Sequence, residues 1–133
     1  MRVQKKVILD FKGKRAEAQA LFDAGAGFTI MSAKKFERFF NSREWHELDE
    51  PYYGYLINRE KVKLDRYVIL KIIINTHILV EMIFLTDDFV EEIKVGDKII
   101  KMPDIIIGSG TMDKYGIELS AEKGLVFRGI LIL

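Results

Sequence analysis

The sequence predicts an all-β domain carrying one or two short helices. Three observations predict it. Apolar residues gather in runs of strand length, separated by breaks rich in Gly, Asn and Asp, and almost nowhere repeat at helical spacing. Eighteen of the 133 residues are isoleucine, a β-branched residue that favours a pleated surface. With 49% of residues hydrophobic and 31% charged, the chain can bury one core, so residues 1–133 read as a single domain.

The elements follow in order. Residues 3–11 and 15–22 flank the break Lys12-Gly13-Lys14, which predicts a hairpin, and Ala16, Ala18, Ala20 and Phe22 share one face of its second strand. Ser32 is placed to cap a helix over 33–40, where Phe36, Phe39 and Phe40 fall on one face. Strands are expected at 52–57, 62–74 and 78–85, broken at Asn58-Arg59-Glu60 and Asn75-Thr76. Gly96-Asp97 puts glycine first in a two-residue connection, the pattern of a type II′ hairpin. Ile105-Ile106-Ile107 reads as a short buried strand, residues 109–115 as a second helix ending before Gly116, and 117–119 with 125–133 as a closing strand pair.

Charge and composition exclude several functions. Twenty-one Lys and Arg against twenty Asp and Glu leave a net charge of +1, so no global field draws in nucleic acid or anionic lipid. Absence of cysteine removes a disulfide framework, a thiolate zinc site and a cysteine nucleophile. Apolar runs are too short for a signal peptide or a spanning helix, so the expectation is a cytoplasmic protein with no membrane partner. No metal or cofactor motif stands out. His46 lies in an acidic run read as solvated surface, His77 has no visible partner, and Lys5, Lys6, Lys12, Lys14 and Arg15 form a basic cluster without the aromatic interleaving of a nucleic-acid binder.

Two segments carry chemistry. In Leu21-Phe22-Asp23-Ala24-Gly25-Ala26, a carboxylate leaves the end of an apolar strand into small residues that let another chain approach closely. In Ile106-Ile107-Gly108, a buried strand stops at glycine before a short helix. Taken alone, Asp23-Ala24-Gly25 reads more readily as an ordinary turn, and neither segment is specific by itself. Together, in this order, they resemble the signature of the retropepsin-like aspartic proteases, and the likeness spans nearly the whole chain.

That resemblance implies a retropepsin-like acid-protease barrel forming a two-fold homodimer. It implies Asp23 as the catalytic residue, Ala24, Gly25 and Ala26 as its loop, and Ile106, Ile107 and Gly108 as the structural motif beside it. A hairpin over 52–64 would be the flap, with Tyr53, Tyr55, Leu56, Ile57 and Asn58 meeting an extended peptide or unfolded protein. The run 125–133 would enter an intersubunit sheet; a buried edge strand within the monomer is the competing role. Aspartic proteolysis needs two carboxylates sharing a proton, and the chain holds no second Asp-Thr-Gly, Asp-Ser-Gly or Asp-Ala-Gly, so two copies of Asp23 would have to meet. The expected activity is endopeptidase; the alternative is a catalytically silent dimerisation or peptide-binding module.

The family carries Thr or Ser after the catalytic Asp, and here Ala24 lacks the hydroxyl that braces the dimer axis. Gly27 and Ser109 stand where retroviral members often carry a pairing acid and arginine, and residues 87–102 form an added hairpin relative to compact members.

Overall fold

Residues 1–56 and 59–129 are described in a computed structural model of the chain. Its strands are β1 (Arg2–Phe11), β2 (Lys14–Asp23), β3 (Ile30–Ser32), β4 (His46–Tyr55), β5 (Lys61–Ile74), β6 (His77–Thr86), β7 (Glu92–Val95), β8 (Lys98–Lys101), β9 (Ile105–Ile107), β10 (Ile117–Ser120) and β11 (Gly124–Phe127). The two short helices are α1 (Ala33–Phe40) and α2 (Ser109–Lys114).

β1 and β2 pair in register from Phe11 opposite Lys14 to Arg2 opposite Asp23. Lys12 and Gly13 both adopt positive φ, 51° and 88°, the twist that a two-residue hairpin needs. Asp10 secures this turn by accepting from the Gly13 amide at 3.1 Å and from Arg15 Nε at 3.1 Å. The Gly13 amide above all holds the Asp10 carboxyl below its ordinary 3.8; burial opposes it, and the Arg15 guanidinium adds to the lowering.

The sheet runs β1-β2-β9-β3-β6-β5, and β5 returns to β1 through Ile8 to Ile73, Leu9 to Ile72 and Asp10 to Lys71. Six strands thus close a barrel. Closure leaves the exposed, mostly polar β4 as an outlying strand on the first half of β5, forming a long hairpin that stands away from the barrel. β7 with β8 and β10 with β11 form separate two-stranded sheets.

Side-chain alternation sorts the apolar residues into two clusters. Leu9, Phe22, Met31, Phe36, Phe40, Leu70, Ile72, Ile83, Ile105 and Ile107 fill the barrel interior. Ile30, Val62, Leu64, Phe84, Phe89 and Ile106 form a second cluster under the β4–β5 hairpin. β9 serves both, since Ile105 and Ile107 face one cluster while Ile106 faces the other.

The helices form where expected. The Ser32 hydroxyl accepts from the Lys35 amide at 3.3 Å, and Asn41 ends α1 in the left-handed conformation. Phe36 and Phe40 are buried and Phe39 half-buried. Gly96 has a φ of 61° in the β7–β8 turn, in keeping with type II′. Among the described residues no helix is long and apolar enough to cross a membrane.

One strand was not foreseen and two expectations need correction. Ile30–Ser32 is a strand, wedged between β9 and β6. β4 begins at His46, six residues before the expected strand, with a register shift between Glu47 and Tyr52, and His46 stacks on Tyr67 at 4.9 Å. His77 does have a partner: its ring lies on Phe127 at 3.7 Å, nearly parallel, and ties the β10–β11 hairpin to β6. The last strand is described only to Phe127, so its expected extension over 130–133 lies outside the described residues.

Candidate active site

Asp23 is the last residue of β2, and its side chain is 13% exposed. The Gly25 amide donates to Asp23 Oδ1 at 2.9 Å, and the Ala26 amide to the Asp23 carbonyl at 3.1 Å, so the loop folds back on the residue it follows. Gly25 permits this closeness: a Cβ there would stand 3.3 Å from Oδ1. Oδ2 faces Arg2 Nε at 3.4 Å, from the opposite position on β1.

This loop is fastened to α2. Ser109 donates its amide to the Ala26 carbonyl at 2.6 Å, and Gly110 its amide to the Gly27 carbonyl at 3.2 Å. Backbone bonds, from Ser109 to Ala26 and from Gly110 to Gly27, thus join the two segments that lack a side-chain ion pair between Gly27 and Ser109. Buried Thr29 adds a second tie, its hydroxyl 2.7 Å from that of buried Thr111 while also accepting from the Gly108 amide at 3.2 Å. Gly108 is required at this crossing. A Cβ would sit 2.5 Å from the Phe28 carbonyl oxygen and 2.8 Å from that of Ala26, both backbone atoms with nowhere to go.

Asp23 opens onto a cleft of about 300 Å³. Its floor and walls are mainly Leu21, Ala26, Phe28, Ile30, Val62, Leu64, Met102 and Ile106, and Gly54, Tyr55 and Leu56 of the β4–β5 hairpin complete it. Asp23 and Arg2 are its two charged residues. A larger hollow of about 690 Å³ beside the β4 irregularity is instead lined by Arg43, Trp45, Glu47, Asp65, Arg66 and Asp87 among others. There Arg66 bonds Asp65 at 2.9 Å, lies over Trp45, and meets Asp87 at 2.9 Å as an ion pair without hydrogen-bond alignment. The smaller, apolar cleft with one strand-end carboxylate is the better candidate for chemistry.

The candidate residues divide cleanly. Asp23, Gly25, Ala26, Tyr55, Leu56 and Ile106 come together in the cleft. Ala24 instead lines a separate hollow with Met1, Ser109, Met112, Ile117 and Leu119. Ile107 is buried in the barrel core, and Gly108 acts through its backbone. Tyr53 does not line the cleft; it is exposed, with Lys61 Nζ 4.7 Å from its ring. Ile57 and Asn58 lie outside the described residues. Arg2, Phe28, Val62, Leu64 and Met102 were not foreseen as cleft residues, and Thr111 had no role in the sequence reading.

A closed barrel, two short helices and a hairpin beside a strand-end Asp define a retropepsin-like fold. Among solved structures, the chain is similar to the retroviral protease-like domain of Ddi1 from Leishmania major, with 14% identity and a TM-score of 0.62 over 96% of this chain and 90% of that one. It is also similar to the EIAV protease in complex with the inhibitor HBY-793, at 14% identity and a TM-score of 0.55 over 90% of this chain and 93% of that one. At such identity the likeness is one of fold. No family model matches the sequence, and no curated protein matches it.

Proposed function

We propose that the chain is an aspartic endopeptidase that works as a homodimer, cleaving extended peptide or unfolded protein with a dyad of two Asp23 carboxylates. The observation that carries this reading is the Asp23 carboxylate at the end of an apolar strand, oriented by the Gly25 amide and opening onto an apolar cleft beside the β4–β5 hairpin. In the dyad one carboxylate takes a proton from the attacking water while the other protonates the scissile carbonyl, which requires one shared proton and hence acidic conditions. The hairpin acts as flap, with Tyr55 and Leu56 shielding the reaction from water.

The partner is a second copy of this chain. Support comes from the hollow around Ala24, where exposed Met1 and half-buried Leu119 offer apolar surface, and from the β10–β11 hairpin, which packs against the barrel core but shares no strand ladder with it among the described residues. A lone two-stranded hairpin is marginal in water and gains stability from further pairing.

Ala24 and Arg2 favour the second reading, a silent dimerisation or peptide-binding module. Ala24 offers no hydroxyl to brace the partner, and Arg2 already engages one oxygen of the Asp23 carboxylate at 3.4 Å. Incubation with an unfolded protein across pH 3 to 7 separates the two. The endopeptidase reading expects cleavage at acidic pH that Asp23→Asn abolishes; undiminished cleavage by that variant would remove Asp23 from the chemistry.

A further inference from the structure

The β7–β8 hairpin contributes nothing to the barrel, yet it is rooted in the cleft. Before it, Phe89 is buried in the cluster beneath the cleft, and Asp88 accepts from the Lys63 amide of β5 at 2.8 Å. After it, Met102 lines the cleft itself. The Met102 amide donates to the Glu91 carbonyl at 2.9 Å, closing the base, and Arg38 of α1 holds the Glu91 carboxylate at 2.6 Å. Between these anchors β7 and β8 pair with each other in a sheet of their own.

All four residues of β8, Lys98-Ile99-Ile100-Lys101, are exposed, with Ile99 at 67% and Ile100 at 47%. Two neighbouring isoleucines in water, on a two-stranded sheet with open edges, are a costly arrangement for a surface without a partner. Lys94 of β7 and Lys98 and Lys101 of β8 form no ion pair among the described residues, although Glu92 stands opposite Lys101; one face of the hairpin carries Ile99 with Lys94 and Lys101, the other Ile100 with Lys98, and a strand added at the edge meets both.

We infer that the β7–β8 hairpin is a substrate-binding arm that extends the cleft, taking the flanking segment of the same extended peptide. The occupant is a chain segment with an apolar centre and acidic flanks. Its apolar side chains cover Ile99 and Ile100, its carboxylates meet Lys98 and Lys101, and its backbone can add to a free hairpin edge. Continuity through Met102 argues for this occupant, because a peptide leaving the cleft past that residue arrives at the foot of β8. Four paired positions at about 3.3 Å each give an arm about 13 Å long, enough for about four further residues. The inference rests on the peptide-binding reading of the cleft and extends it to an acidic, apolar substrate class.

The test measures binding, separate from cleavage. Fluorescently labelled β-casein, an acidic disordered protein, is titrated at low salt with Asp23→Asn protein as the parent. Three derivatives accompany it: Ile99→Ser with Ile100→Ser and Lys98→Ser with Lys101→Ser in the arm, and Phe28→Ser at the exposed lip of the cleft. The inference expects the arm variant to bind about tenfold more weakly, equivalent to about 1.4 kcal/mol, with an unchanged unfolding curve because both isoleucines are exposed. Lys98→Ser with Lys101→Ser should weaken binding several-fold and flatten its salt dependence. An arm variant that binds as tightly as the parent, while Phe28→Ser binds poorly, overturns the arm and leaves the cleft standing. A parent that does not bind overturns both.

Discussion

Thr29→Val removes one hydroxyl from the junction behind the candidate site and keeps its shape. Thr29 Oγ1 meets Thr111 Oγ1 at 2.7 Å and accepts from the Gly108 amide at 3.2 Å, with both threonines buried. Valine leaves the Gly108 amide and the Thr111 hydroxyl without that partner in a water-free place. Taking about 1–2 kcal/mol for each of these two neutral groups left without a partner, the loss should total about 2–4 kcal/mol. For a domain of this size that lowers Tm by about 8–15 °C. Thr111→Val should cost less, about 1–2 kcal/mol, since Thr29 can still accept from Gly108. The double variant should cost no more than Thr29→Val alone, because the two side chains share one bond. Urea unfolding at fixed protein concentration is the assay, with the midpoint moving and the slope unchanged. A Thr29→Val protein within about 0.5 kcal/mol of the parent, or strictly additive changes, would refute the reasoning.

Further perturbations probe the same junction and its surroundings. Gly108→Ala drives a Cβ to 2.5 Å from backbone oxygen and should destabilise by about 1–3 kcal/mol or more, displacing the Asp23 loop; circular dichroism melting will show whether the clash is real. Ala24→Thr should tighten self-association about tenfold, read by sedimentation, if the position faces the partner; an unchanged dissociation constant would place Ala24 elsewhere. Asp10 has a lowered pKa in the folded chain, so its contribution is present above pH 4 and fades as pH falls through that lowered value. Asp10→Asn should therefore lower Tm at neutral pH and converge on the parent at the acid end of a Tm profile.

Much of the fold was legible because its signals are local. The β1–β2 hairpin declared itself through alternating Ala16, Ala18, Ala20 and Phe22 around a Lys-Gly turn, and α1 through Ser32 and its phenylalanines. β3 did not, since three residues give no periodicity and its partners, β9 and β6, lie more than forty residues away in sequence. β4 hid its start in an acidic run because a strand outside the barrel needs no apolar face. The Asp23 loop and the Gly108 turn were visible as motifs, but the Thr29 to Thr111 tie crosses 82 positions and joins two residues with no shared local pattern. Arg2 was within reach. A two-residue turn at Lys12-Gly13 sets Phe11 opposite Lys14 and, counted back along both strands, Arg2 opposite Asp23.

The central claim, that two copies of Asp23 form one proteolytic site, is tested most directly by mixing subunits. Parent protein is held at constant concentration and equilibrated with increasing Asp23→Asn protein before acidic proteolysis is measured. If each site needs a carboxylate from both chains, random pairing with an equal amount of the variant leaves about half the activity, and a threefold excess about a quarter. Activity that is absent from the parent, or that stays constant as the variant is added, would contradict the shared dyad.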